Sequence, residues 1–157
     1  MPDQPLSPPG SPAAAPNGLW LGIDFGLKRI GIAKGSTQLG TAEPLTMMRN
    51  INGTPEWATL DAVVKNWQPV GLVVGLPLTE DGEAQDITHA TRGFAKRCQK
   101  RYQLPLMWMD ERFSSMQASE TLAQLRQSGQ RNKRTRKQDV DTLAAALILE
   151  RWLASRF

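Results

Sequence analysis

Two continuous apolar runs most constrain the fold of this chain of 157 residues. The first, VGLVVGL, covers residues 70–76, and the second, LPLMWMD, covers residues 104–110 and ends on an acid. Runs without polar alternation are typical of strands that are covered on both faces, as in parallel sheets. The segment between them predicts a helix from about Ala84 to Tyr102. The two runs therefore predict a βαβ unit with a parallel pair of strands.

The segment LWLGIDFGLKRIGIAKG, residues 19–35, precedes this unit and predicts two strands joined by a turn near residues 26–28. A third strand is expected near AEPLTMM, residues 42–48. Together these segments predict an antiparallel, three-stranded opening to the sheet. The fold class is therefore α/β, with a mixed sheet, an antiparallel opening, parallel βαβ units and helices on both faces.

Three more helices are predicted outside the βαβ unit. In the first, residues 54–68, Thr54 serves as N-cap and Pro55 takes the first helical position. The others cover residues 114–129 and about 139–154. The helix at residues 54–68 has an apolar face built from residues three and four positions apart, namely Leu60, Val63, Val64 and Trp67.

Composition predicts one domain, residues 18–157, after a disordered tail at residues 1–17 that is rich in Pro and Ala. The single cysteine, Cys98, excludes an internal disulfide and a cysteine-based zinc site. The longest apolar run, residues 143–149, is far shorter than the ~20 residues of a membrane-spanning helix. Because no signal peptide is recognised either, we expect a cytoplasmic protein that does not bind membranes.

Charge is distributed unevenly along the chain. Residues 1–91 carry 5 Lys/Arg and 9 Asp/Glu, whereas residues 92–157 carry 14 and 6, so the two parts have net charges of −4 and +8. A basic half of this kind indicates a polyanionic partner, for which nucleic acid is the first candidate. Solvated helix faces would explain the same charge without any partner.

Acids follow the strands that the sequence predicts. Asp24 ends the first strand, although Asp is depleted in strands, and Asp110 and Glu111 follow the last apolar run. If these strands are parallel neighbours, their carboxyl ends meet at one edge, where α/β sheets bind ligands. Asp141 begins an apolar stripe of the final helix, so it should face the sheet.

Three acids at one edge would repel each other unless a cation lay among them. Mg²⁺ or Mn²⁺ is the expected ion, because both prefer carboxylate oxygens. Each acid also has a structural interpretation: Asp24 could cap the turn, Glu111 could pair with Arg112 or Arg29, and Asp141 could interact with the helix dipole.

Several cations surround these acids in the sequence. Lys28 and Arg29 lie in the first turn and could contact a phosphate, or they could be solvated turn residues. Arg112 directly follows Glu111. A basic loop from Arg131 to Lys137 has five cations in seven residues, which would bind phosphates without reading sequence: Arg131, Lys133, Arg134, Arg136 and Lys137.

Four motifs in order, GIDFGLKRIGIA, VVGLPLTEDG, DERFSS and DVDTLAAALILE, resemble the YqgF family of Holliday junction resolvases and pre-16S rRNA nucleases. The resemblance covers about residues 18–153 and implies an RNase H-like fold. It implies that Asp24, Glu111 and Asp141 hold the metal of an endonuclease, with Asp110 as a further candidate. The sequence departs from the family at KGST, where many members carry a Ser-Asp pair.

The resemblance implies cleavage of structured nucleic acid, either at precursor 16S rRNA or at a four-way DNA junction. The protein would act as a monomer or a homodimer. A module that binds nucleic acid without cutting it is an alternative, but clustered acids would give such a module no advantage. A sugar-kinase or actin-like ATPase shares the first hairpin but needs two such domains, for which 157 residues are too few.

Overall fold

The computed structural model describes residues 15–77, 86–110 and 137–155, with the side chains of residues 137–141 excepted. This part of the chain forms one six-stranded sheet and three helices. The strands are β1 (Leu19–Asp24), β2 (Arg29–Ser36), β3 (Ala42–Ile51), β4 (Thr54–Pro55), β5 (Gly71–Leu76) and β6 (Leu106–Asp110). The helices are α1 (Trp57–Trp67), α2 (Asp86–Tyr102) and α3 (Lys137–Ser155).

The sheet is mixed, as the sequence predicts. Its strand order is β4-β3-β2-β1-β5-β6. Strands β1 to β4 pair antiparallel in succession, whereas β1 pairs with β5, and β5 with β6, in parallel. The antiparallel opening and the parallel βαβ unit are thereby confirmed. Strand β5 lies between β1 and β6, so the two acid-bearing strands are parallel but are not direct neighbours.

Helices cover both faces of the sheet, which confirms the predicted layers. On one face, α1 and α2 pack on β1 through a core that includes Leu60, Phe94 and Ile23, all without solvent exposure. On the other face, α3 packs through Ile148 and Leu149 on apolar residues of β1, β5 and β6. The alternation of side chains along each strand assigns neighbouring residues to opposite faces.

The start of α1 differs from the predicted one. Thr54 does not cap a helix but belongs to β4, where it pairs with Ile51 across the two-residue loop of Asn52 and Gly53. Both loop residues have positive φ, 50° and 80°, as a type I′ hairpin turn requires. The sequence signal for this turn, Asn-Gly, was present but is overlooked by an interpretation that extends the helix back to Thr54.

Two further predictions are refined, the burial of Trp67 and the start of the last helix. Trp67, expected on the apolar face of α1, is 42% exposed and lies 4.4 Å below the ammonium of Lys34. Helix α3 begins at Lys137, so this residue belongs to a helix rather than to the basic loop. The predicted helix at residues 114–129 and residues 1–14 of the tail lie outside the described residues.

The chain just before β1 is attached to the domain. The indole nitrogen of Trp20 donates a hydrogen bond to the carbonyl of Pro16, and Ala15 packs against the apolar cluster on the α3 face. Gly18 exchanges two hydrogen bonds with Thr37. None of the described helices is long and apolar enough to cross a membrane.

Candidate active site at the sheet edge

Asp24 ends β1 at the edge of the sheet where the three parallel strands have their carboxyl ends. It is 9% exposed, so a carboxylate lies almost buried at this edge. Along β1, Trp20, Gly22 and Asp24 alternate with residues of the α1/α2 core, so all three belong to the α3 face. The acid that the sequence singled out therefore lies on the face that α3 covers.

Helix α3 runs antiparallel to β1 on this face. The rings of Trp20 and Trp152 have centroids 4.4 Å apart. Two residues further along β1, a Cβ added to Gly22 would lie 2.7 Å from both the Ala145 carbonyl oxygen and the Leu149 Cβ. Later residues of β1 therefore contact earlier residues of α3. The end of β1 is directed toward the first turns of this helix.

The first turns of α3 contain Asp141. It lies four residues before Ala145, which is about 6 Å along the helix axis, in the same row as Ala145, Leu149 and Trp152. Asp24 lies two strand residues beyond Gly22, which is about 6.6 Å. The backbone of Asp141 is therefore on the helix row that leads toward the end of β1.

Asp110 also reaches this edge but belongs to the other face. It ends β6, in register with Leu76 of β5. Leu106 and Trp108 of β6 pack in the α1/α2 core, whereas Met107 and Met109 pack on the α3 side. Continued alternation assigns Asp110 to the α1/α2 face, opposite Asp24, and two strand spacings separate the strands by about 10 Å.

The turn after Asp24 brings two predicted cations to the same edge. Lys28 is exposed and Arg29, the first residue of β2, is partly exposed. The turn is so tight that a Cβ added to Gly26 would lie 2.3 Å from the Arg29 carbonyl oxygen. The structure therefore brings Asp24, Lys28 and Arg29 together within one connection.

Asn50 of β3 fixes this turn and was missed by the sequence reasoning. Its side-chain amide donates to the Gly26 carbonyl at 2.9 Å, and its backbone amide donates to the Lys28 carbonyl at 2.9 Å. Asn50 is 6% exposed, and its buried Oδ1 has no hydrogen-bond partner among the described residues. An Asn within a strand, where Asn is depleted, was the available signal.

The remaining predicted site residues lie outside the described part. These are Glu111, Arg112, Arg131, Lys133, Arg134 and Arg136. For Lys137 and Asp141, the structure describes the helical backbone only.

Two other reactive side chains belong to α2. Cys98 is fully buried in the α1/α2 core, and burial raises the pKa of its thiol to about 12, so the thiol is a poor nucleophile. His89 is exposed on α2, as expected for a surface histidine.

Solved structures share this fold. The structure described as "T. thermophilus RuvC in complex with Holliday junction substrate" superimposes with a TM-score of 0.54 and 16% identity, covering 88% of this chain and 95% of that one. The fowlpox virus resolvase, solved with Holliday junction DNA, gives a TM-score of 0.56 at 10% identity, covering 87% and 97%. At such identities the likeness concerns the fold alone, which is the RNase H-like fold of these resolvases.

Sequence comparisons define the family. The model of the family described as "RuvX: Holliday junction resolvase" matches residues 18–155. A Xylella fastidiosa protein named "Putative pre-16S rRNA nuclease" is 43% identical over 150 residues, covering 93% of this chain and 94% of that protein. A Legionella pneumophila protein of the same name is 42% identical over 138 residues, covering 88% and 96%. The chain therefore belongs to the RuvX family, which confirms the YqgF resemblance found in its motifs.

Proposed function

We propose that this protein is a divalent-metal-dependent endonuclease that hydrolyses phosphodiester bonds of structured nucleic acid at the sheet edge around Asp24. The single observation that carries the proposal is the alignment of α3 with β1. It directs the helix row of Asp141 toward the buried carboxylate of Asp24. Membership of the resolvase family supports the same chemistry.

The metal ligands in this proposal are Asp24, Glu111 and Asp141. Glu111 is chosen over Asp110 because strand alternation assigns Asp110 to the face opposite Asp24. A nearly buried carboxylate at an open sheet edge fits a hard cation, since Mg²⁺ and Mn²⁺ prefer carboxylate oxygens. When bound, such ions stabilise negative charge on the attacking and leaving oxygens of phosphodiester cleavage.

The cations of the first turn are assigned to substrate binding rather than to the metal. Lys28 and Arg29 are positioned by the turn that Asn50 holds, next to Asp24. We assign them to the phosphates that flank the bond to be cut, and we assign Arg112 to the same backbone. The cluster from Arg131 to Lys137 adds affinity through further phosphate contacts, which makes binding strongly dependent on salt.

The substrate that we propose first is the 5′ end of precursor 16S rRNA, cut in the cytoplasm during ribosome assembly. The names of relatives that are 41–43% identical over most of the chain support this choice. Cleavage of a Holliday junction is the second candidate, favoured by the description of the family and by the resolvase fold. Symmetric cutting of a junction would need a homodimer, whereas a monomer is enough for end maturation.

The decisive test uses Asp24→Asn. The parent protein should cut a 16S precursor end or a four-way junction with Mn²⁺, and the variant should lose cleavage by at least about 100-fold because a metal ligand is lost. Glu43→Gln is the matched control, since it makes the same change of carboxylate to amide at an exposed position of β3. That control should cut at the rate of the parent.

Equal cleavage by Asp24→Asn and the parent would overturn the metal site. Absence of cleavage by the folded parent on both substrates, with Mg²⁺ and with Mn²⁺, would overturn the proposed activity. Comparing the two substrates side by side decides between the two candidates.

A further inference from the structure

The outer surface of α2 carries a dense set of cations. This helix of 17 residues contains five Lys/Arg residues and one Asp. All five cations are exposed on the half of the helix that faces away from the sheet: Arg92, Lys96, Arg97, Lys100 and Arg101. The opposite half is apolar and packs in the α1/α2 core through Phe94, Ala95 and Cys98. This surface, which we call the α2 basic face, is separate from the predicted loop cluster at Arg131–Lys137.

Little of this charge is neutralised by the residues that the structure describes. Of the five cations, only Arg101 pairs with a carboxylate in the described residues, that of Asp61 at 2.6 Å. Arg92, Lys96 and Lys100 recur at intervals of four residues, an arrangement in which like charges repel along a helix. An anionic partner would relieve this repulsion.

The α2 basic face begins at the edge that carries Asp24. The hydroxyl of Thr88, in the first turn of α2, donates to the carbonyl of Pro77, the residue that directly follows β5. From there the helix leads away from the edge. Arg92 and Lys100 lie about 12 Å apart along the axis, a length that spans roughly three to four phosphates of one duplex strand.

The far end of this face is concave. An open pocket of about 280 Å³ is lined by Trp57, Arg97, Lys100 and Arg101. The guanidinium of Arg101 lies over the Trp57 ring, 5.1 Å from its centroid. Arg97 reaches toward the hairpin turn between β3 and β4, with its Nη1 atom 3.5 Å from the Gly53 carbonyl. Three cations therefore surround one shallow hollow, whose positive charge suits a phosphate group better than an apolar partner.

We infer that the α2 basic face binds the phosphate backbone of a base-paired arm of the substrate as that arm leaves the sheet edge. The inference rests on the proposed nuclease function and deepens it, because it requires a substrate in which the cleavage site adjoins a duplex. The occupant is a duplex rather than a single strand, since a straight row of cations on a rigid helix matches a backbone of fixed spacing. Both DNA and RNA duplexes offer this backbone.

The test compares Lys96→Ala with Lys65→Ala. Each change removes one lysine from an exposed helical position, on α2 and on the neighbouring α1 respectively. Dissociation constants are measured for a duplex and for a single strand of equal length, as DNA and as RNA. The divalent metal is removed by a chelator, and the salt concentration is varied.

We expect Lys96→Ala to weaken duplex binding and to flatten the slope of log K against log salt by about 0.9, the value for one lost phosphate contact. The triple variant Arg92→Ala, Lys96→Ala, Lys100→Ala should flatten the slope about three times as much, by about 2.7. Lys65→Ala should leave both quantities as in the parent. Whichever duplex shows the larger change in slope identifies the preferred kind of arm.

Unchanged duplex affinity and slope in the triple variant would overturn the inference and reduce the α2 basic face to a solvated surface. An equal loss for single strands and duplexes would overturn the assignment to a base-paired arm. Because binding is measured without metal, these outcomes are independent of the cleavage test. Asp24→Asn, which should lose cleavage, should still bind the duplex and show the full salt slope.

Discussion

The two faces of the sheet are built on different principles. On the α1/α2 face, large side chains fill the space, and Phe94 contacts the rings of both Phe25 and Trp57 at centroid distances of 5.1 and 5.6 Å. On the α3 face, small residues bring helix and strands close together. A Cβ at Gly22 would collide with the α3 backbone, and one at Gly35 would lie 2.7 Å from the Thr41 carbonyl oxygen and 3.0 Å from Leu149 Cδ2.

Because of this difference, one face contributes mainly to stability and the other face positions the candidate site. Large apolar side chains contribute most to burial, so the α1/α2 face should supply much of the free energy of folding. Close packing of α3 on β1 adds less buried area per residue, but it fixes the row of Asp141 relative to Asp24. Damage to the first face should therefore cost stability, and damage to the second should cost activity as well.

The largest effect on stability is expected from Leu60→Ala on the α1/α2 face. Leu60 is fully buried, so the change should lower the free energy of unfolding by about 2–5 kcal/mol, through lost burial and the cavity left behind. Urea unfolding gives this value. Cleavage per folded molecule should stay close to that of the parent, and a large fall at full folding would contradict the separation of the two faces.

Gly22→Ala is the matching change on the α3 face. The added methyl group would overlap the Ala145 carbonyl and the Leu149 side chain, which should cost about 1–3 kcal/mol of stability. Because α3 must move away from β1, cleavage by the folded fraction should also fall, unlike in Leu60→Ala.

Gly93→Ala is the control for this prediction. Gly93 lies in α2, and an added Cβ would meet no described atom outside the backbone of its own helix within 4 Å, so this change should raise stability by about 0.5–1 kcal/mol. Cleavage by Gly22→Ala at the rate of the Gly93→Ala protein would show that the close approach of α3 is not needed for the site.

The smallest effect is expected from Asp61→Asn on the outer surface of the α1/α2 face. Hydrogen bonds from Arg101 and then Tyr102 lower the pKa of Asp61 from 3.8 to about 2. Its side chain is 41% exposed, so solvent screens the pair and the loss should be only about 0.2–1 kcal/mol at neutral pH. Because the pKa is lowered in the folded state, the contribution is complete above pH 3.8 and is lost as the pH falls toward 2.

Unfolding midpoints of the parent and Asp61→Asn should therefore converge between pH 4 and pH 2. A constant difference over that range would assign the effect to packing rather than to charge.

Some features of the fold and of the site were predictable from the sequence, and others were not. The continuous runs of β5 and β6 and the acid in β1 predicted the parallel unit, the mixed sheet and the edge that carries Asp24, because burial on both faces leaves an unbroken apolar run that can be read locally. Thr54 was assigned wrongly, since capping preferences competed with an Asn-Gly turn that β3 and β4 stabilise by pairing. Asn50 was missed because its partners, Gly26 and Lys28, are distant in sequence.

The sequence by itself determined the fold class, the family and the acids that are candidate metal ligands. Only the tertiary structure decided that β5 lies between β1 and β6, and that Asp110 and Asp24 belong to opposite faces. It also decided that α3 runs antiparallel to β1 at close range. Local patterns specify which residues are buried, but strand order and helix direction depend on contacts between distant segments, which no single stretch of sequence contains.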